Sequence, residues 1–212
     1  MLMAIFSFPC NPYQANTYLF SDPSGCCVLI DATFHNMKEW SEISTLLEKN
    51  NLRLISLIIT HYHFDHVIGI NLFRSMFDLP ILAHRGGMGF INQVAAQAGI
   101  FGVKIESDFS PTEWLSGGDI ISVGQSELKV LYTPGHADGS ICLYCEKEGV
   151  VFAGDVLFRE SIGRTDLPTG DFQTLAESIQ KELFALPEHT TVFPGHGPTT
   201  SIGHEKRFNP FL

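Results

Sequence analysis

The sequence is poor in the features that would place it in a membrane, in an oxidising compartment or on a nucleic acid. No apolar run reaches the roughly 18 residues needed to cross a bilayer. The opening stretch, MLMAIFSFPCNPYQANTYLF, lacks a basic start and is broken by Pro9, Asn11 and Pro12, which makes a poor export signal. Cysteine is scarce: five residues (Cys10, Cys26, Cys27, Cys142 and Cys145), odd in number and irregular in spacing, argue against a disulfide framework and suit a reducing cytoplasm. Basic residues are outnumbered, 13 Lys and Arg against 23 Asp and Glu, for a formal charge of −10. A phosphate backbone would be repelled unless those few cations were gathered on one face. Internal repeats, low-complexity tracts and Pro/Gly/Ser linkers are also missing, so residues 1–212 are expected to form a single cytoplasmic domain.

What is present is a globular pattern, with 44% hydrophobic and 17% charged residues. Strand signals run over Met3–Phe8, Thr17–Phe20 and Cys26–Ile30, with SDPSG marking a turn between the last two. In the segment Asn36–Lys49, the residues Met37, Trp40, Ile43, Leu46 and Leu47 share one helical face. Leu54–Ile59 is a continuous apolar run, the mark of a strand covered on both sides. Helical stretches follow around 67–77 and 87–98. Strand signals return at Asp119–Val123, Glu127–Tyr132, Ser140–Cys145 and Val150–Ala153. Asp171–Leu183 reads as an amphipathic helix with Phe172, Leu175, Ile179 and Leu183 on its apolar face, and Thr190–Phe193 as a last strand. Two strand clusters with flanking helices predict two packed sheets covered outside by helices, or another α+β layering.

Chemistry is concentrated in His61-Tyr62-His63-Phe64-Asp65-His66, an HxHxDH cluster directly after the buried strand. Three imidazoles and a carboxylate within six residues are the nitrogen and oxygen donors that bind Zn²⁺ or Fe²⁺. On an extended exit loop His61 and His63 point the same way, while Asp65 and His66 aim at a second point nearby. His136 in TPGH, Asp155 in AGD and His196 in PGHG each follow a strand signal and sit in a glycine-containing loop. Five histidines and two aspartates exceed the four ligands of a closed structural zinc site. They suit two cations roughly 3.5–4 Å apart sharing a hydroxide, which is hydrolytic machinery.

The segments THYHFDHVIG, TPGHADGS, AGDVLF and FPGHG, in this order and spacing, resemble the metallo-β-lactamase fold superfamily from about residue 12 to the C-terminus. SIGRTDLPTGD (161–171) and the closing GHGPTTSIGHEKRFNPFL are most similar to the short glyoxalase II-like (hydroxyacylglutathione hydrolase-like) members. The resemblance implies an α+β fold, an αββα sandwich of two mixed sheets with the metal site along one edge. It further implies that His61, His63 and His136 hold one divalent ion and that Asp65, His66 and His196 hold a second. Asp155 would bridge the two together with a hydroxide nucleophile, and Asp65 would orient that hydroxide; these two are the expected catalytic residues. Zinc is the first choice of metal, with iron or manganese as alternatives. Asp31 matches a family aspartate that supports the site from outside, although a cap or turn role is an equal alternative.

The implied reaction is hydrolysis of a small acyl compound, a thioester such as a hydroxyacylglutathione. Too few residues follow His196 for the C-terminal helical domain with which full-length glyoxalase II holds glutathione, so recognition cations come from elsewhere or are absent. Arg164 falls near a basic family position and can bind a carboxylate as a fork, or simply pair with Asp166. Rival readings are a persulfide dioxygenase with one iron, a lactonase and a non-catalytic metal scaffold. No nucleic-acid or membrane partner is expected, and the protein is taken as a monomer or small homo-oligomer. Cys142 and Cys145 form a CxxC inside a strand signal, where packing is expected rather than redox chemistry or metal binding. His35, His84, His189 and His204 are expected to lie off the site, whereas the glycine-rich segment 86–102, without phosphate-loop spacing, is expected to wall it.

Overall fold

Successive side chains turned to opposite faces of strands buried on both sides build the molecule in four layers, as a computed structural model shows for residues 3–105 and 109–212. Among the described residues, twelve strands form two six-stranded sheets, and two short strands form a ribbon. The first sheet runs in spatial order β1 (Ala4–Cys10), β2 (Ala15–Ser21), β3 (Cys26–Ile30), β4 (Arg53–Ile59), β5 (Ile81–His84) and β6 (Glu113–Leu115). Its first three strands pair antiparallel, and β3 to β6 pair parallel. The second sheet contains β7 (Ile120–Val123), β8 (Ser126–Tyr132), β9 (Ile141–Cys145), β10 (Val150–Gly154), β13 (Thr191–Pro194) and β14 (Thr200–Ser201). Here β10 and β13 are the parallel pair, and the ribbon of β11 (Leu157–Phe158) and β12 (Ser161–Ile162) lies between them in sequence.

Successive side chains divide between layers. Tyr18, Phe20, Val28 and Ile30 face inward and pack with Leu128, Val130, Leu143 and Phe152 of the second sheet. Leu19, Cys27 and Leu29 face outward, under α1 (Met37–Lys49), α3 (Ile70–Met76) and α5 (Val94–Ile100), with the single turns α2 (Phe64–Val67) and α4 (Met88–Ile91) between them in the chain. On the opposite outer face Cys142, Val151, Ala153 and Val192 meet α6 (Phe172–Ser178), the π-helical turn Ile179–Leu183 and α7 (Ile202–Phe208). This is the expected αββα arrangement. Cys142 and Cys145 fall in different layers of the core and all five thiols are free and buried, so the CxxC is packing.

The helix expected at 36–49 is capped by Asn36, whose side chain accepts from the amides of Lys38 and Glu39. The helix expected over 171–183 is capped by Asp171 and widens after Ser178, where Phe184 N–H donates to Ile179 C=O. The wider turn keeps Leu175, Ile179 and Leu183, spaced by four, on the buried side. The first residue of each apolar face, Met37 and Phe172, is exposed. Periodicity gives the direction of a stripe but not how far the layer beneath it extends. The short elements β6, β11, β12 and β14 and the helix α7 lie where no strand or helix is expected from pattern, because two- and three-residue strands have no measurable period.

Phe152 joins the layers beside the site: its ring lies 5.4 Å from Tyr18, 5.9 Å from Phe20 and 5.4 Å from Phe193. Phe152→Ala is expected to cost about 3–5 kcal/mol. Urea unfolding should show the midpoint falling with the slope unchanged.

Candidate metal centre

Every expected ligand lies just past a strand end, at one edge of the sandwich. His61 and His63 follow β4, and Asp65 and His66 stand in the single helical turn Phe64–Val67. His136 follows β8, Asp155 follows β10 directly, and His196 follows β13. The two sheets are tied at this edge by Ile141 N–H donating to Thr60 C=O at 3.0 Å. The parallel ends of β10 and β13 are tied by Gly195 N–H donating to Gly154 C=O at 2.7 Å. Gly195 has to be glycine, since a Cβ there would collide with Asp155 Oδ1 and crowd the His66 ring.

The ligand atoms of His61, His63 and His136 lie within 4.8 Å of one another, and so do those of Asp65, His66 and His196. Asp155 reaches both groups. Its Oδ2 is 3.6 Å from His136 Nε2 and 3.6 Å from His196 Nε2, while Oδ1 is 3.3 Å from His66 Nε2. All seven residues read from the sequence therefore meet in one place. A third grouping, Asp31 with His61 and His66, is also compact. In it the Asp31 carboxylate already accepts from Thr60 N–H, from Thr60 Oγ1–H and from His66 Nδ1.

Asp31 thus bonds to Thr60 and His66, and the helix that follows is capped by Asn36. Three histidines are oriented in the same fashion. His66 Nδ1 donates to Asp31 at 2.8 Å, His136 Nδ1 to the Arg164 carbonyl at 2.8 Å, and His196 Nδ1 to the Tyr13 carbonyl at 3.1 Å. With Nδ1 held by an outer acceptor, Nε2 of each ring is turned inward, where it would offer its lone pair to a cation. His66 Nε2 and His196 Nε2 then face each other across 3.3 Å. Nε2 of His61, His63 and His136 and Oδ1 of Asp155 are buried without any hydrogen-bond partner. Such atoms are normally paired, so a cluster of them facing one another fits bound dications.

Charge distribution agrees. Burial, reinforced by neighbouring imidazoles, drives His61 well below the usual histidine range and His63 down to about 3, so both rings are neutral donors. Burial opposes the charge on Asp155, but His66, His61 and His136 outweigh it and hold that carboxyl well below its ordinary value. Asp65 is likewise lowered, burial being outweighed by His196 and His66. His66 moves the other way: burial disfavours its charge, yet Asp155 and Asp31 raise it well above the usual range. Without metal the carboxylates thus retain a proton on His66, a positive charge that cations would replace.

Residues with no motif of their own complete the scaffold. Asn11 Nδ2 donates to the carbonyls of Thr33 and Asp65, Asn16 Nδ2 to those of Pro194 and Gly197, and Gln97 Oε1 accepts from Phe64 N–H. Nothing in their spacing singles them out, because each acts on backbone brought near only by folding. Above the ligands lies a cavity of about 420 Å³ lined by Gln97 and Phe101 from the glycine-rich segment, as expected, and by Arg164. Arg164 pairs with Asp166 through Nε and Nη2, both at 2.7 Å. His84 is buried, stacks on Tyr132 at 4.2 Å and does not line the cavity.

Comparison with known proteins agrees with the architecture. The model of the Metallo-beta-lactamase superfamily matches residues 10–196. The chain is 35% identical to the Bacillus subtilis protein named "Probable metallo-hydrolase YqgX", over 96% of this chain and 95% of that one. It is 34% identical to "Hydroxyacylglutathione hydrolase GloC" of Haemophilus influenzae, over 99% of this chain and 98% of that one. The crystal structure of TTHA1623 in a di-iron-bound form superposes with a TM-score of 0.87 at 35% identity, covering 98% of this chain and 100% of that one.

Replacing Asp31 by alanine should free His66 and Thr60 and weaken metal binding about 10–100-fold, read by titration against a chromophoric chelator. Gly195→Ala should weaken it at least as much, since the new methyl displaces Asp155 and His66 together.

Proposed function

The chain belongs to the metallo-beta-lactamase superfamily as a metallo-hydrolase, and on that premise we propose that it is a dinuclear hydrolase of small thioesters. We assign His61, His63 and His136 to one cation, Asp65, His66 and His196 to the other, and Asp155 to both. Imidazole and carboxylate donors make zinc the first choice, with iron or manganese as alternatives. The observation that carries this reading is the convergence of buried, partnerless acceptors beneath a cavity into which Asp65 opens. The five free thiols support a reducing cytoplasm as its location.

When bound, two dications supply a water of lowered pKa and polarise a carbonyl. The chain supplies the positioning. Asp65, held ionised, accepts a hydrogen bond from the attacking water and turns its lone pair toward the carbonyl carbon. Asp155 stays ionised beneath it and keeps the two imidazole groups at their spacing. The His136–Arg164 hydrogen bond ties the first group to the loop roofing the cavity. The oxygen adds to the carbonyl carbon, the C–S bond breaks, and the thiolate departs with the electron pair before taking a proton from solvent. A thiol of pKa about 8.5 leaves without a dedicated acid, which favours thioesters over amides at this site. The name of the Haemophilus relative supports the same class.

Protein loaded with zinc, manganese or iron should contain two metal ions per chain by elemental analysis and release thiol from S-lactoylglutathione. Chelation should abolish that release, and Asp65→Asn should lower kcat/KM roughly 10²–10⁴-fold. A fully loaded protein that cleaves no thioester, or one iron per chain with oxygen uptake on a persulfide, would overturn the assignment.

A further inference from the structure

The walls of the cavity carry information about the acyl group that the ligand set does not. Tyr13, Phe64 and Phe101 form one wall, and Phe158, Ile162 and Leu167 belong to the same lining. The first wall is a packed unit. Tyr13 meets Phe64 edge to face at 5.0 Å, Phe64 stacks on Phe101 at 5.2 Å and 29°, and Tyr13 meets the Phe101 edge at 6.1 Å. Phe64 is buried, yet Phe101 remains 40% exposed despite this packing. Phe101 therefore keeps accessible ring surface at the cavity, among the described residues.

Charge on the lining points the same way. Among the described lining residues Arg164 is the one Lys or Arg, and two of its three nitrogens, Nε and Nη2, are bonded to Asp166. Asp166 takes Nε and Nη2 and leaves Nη1 open, but the pair lies in solvent, where a further carboxylate gains little. The remaining charged groups of the lining, Asp65 and Asp155, are anionic and belong to the metal groups. Among the described lining residues a carrier's carboxylates find one side-chain cation, solvent-exposed and already paired, whereas a flat apolar group finds four Phe and Tyr rings.

We propose that this site selects thioesters with an aromatic or branched apolar acyl group, seated against Phe101 and the Tyr13–Phe64 pair, and that it does not grip the thiol portion through its charge. This rests on the thioester reading above and specifies its substrate class. A cavity of about 420 Å³ accommodates such an acyl group together with the thioester link and leaves a large thiol carrier projecting into solvent.

The test compares phenylacetyl and lactoyl thioesters of one uncharged thiol, N-acetylcysteamine, on the metal-loaded protein. The phenylacetyl ester should be favoured roughly tenfold in kcat/KM, mostly through KM, and Phe101→Ala should cut that preference about fivefold. Equal or better use of the lactoyl ester, or a preference untouched by Phe101→Ala, would overturn the proposal. A second measurement does not depend on turnover: calorimetric binding of the ketone N-acetyl-S-phenacylcysteamine, which cannot be hydrolysed, should weaken about fivefold in Phe101→Ala. If neither ester is cleaved while this difference in binding persists, the hydrolase reading fails and the aromatic subsite stands. Equal binding by the two proteins removes the subsite whatever the esters do.

Discussion

Imidazole lone pairs pointing at one another inside a protein repel and lose their hydration, and this molecule directs several of them at a single carboxylate. A buried polar atom without a partner costs on the order of 1–3 kcal/mol. The Nε2 atoms of His61, His63 and His136 and Oδ1 of Asp155 are all in that condition. Such an arrangement persists only if its surroundings over-determine it, and much of the remaining architecture can be understood as that over-determination. Bound cations turn the same repulsion into attraction, so folding and metal affinity are coupled at one point.

The rigidity comes from three directions. Parallel strand ends deliver Asp155 and His196 side by side, because β10 and β13 finish at the same level and their glycine ends hydrogen-bond to each other. Asp31, in a left-handed conformation with φ near 61°, spends its oxygens on Thr60 and His66 and so locks the histidine-rich loop to the end of β3. The turn between β1 and β2 closes the third side: Asn11 holds the Asp65 carbonyl and the Tyr13 carbonyl receives the His196 ring proton. Strain at Asn11 and Asp31, both with positive φ, therefore sits where it aims a ligand.

The same turn also shapes the cavity. Tyr13 orients His196 through its backbone carbonyl and lines the cavity. Gln97 anchors the helical turn that carries Asp65 and His66, while Phe101, four residues on, lies at the open wall. The ligand cluster and the cavity are thus linked through short segments that touch both, and the sheets contribute to either only at their ends.

Much of the centre was legible beforehand. HxHxDH, TPGH, AGD and PGHG name donors whose chemistry does not depend on fold, and an apolar run before each places it at a strand end. Short apolar runs and helical stripes spaced by three and four likewise point to the layers. Folding alone decided the rest: that His and Asp donors gather in groups within 4.8 Å of one another, that Asp31 bonds Thr60 and His66, and that Arg164 pairs with Asp166. Asn11, Asn16 and Gln97 were invisible in the sequence because they act on the backbone of distant segments, and a hydrogen bond to a carbonyl leaves no trace in residue spacing. Ligand identity is a property of side-chain chemistry and is written locally; ligand geometry and the aromatic wall above it arise from chain segments far apart in sequence, which only tertiary packing brings within a few ångströms.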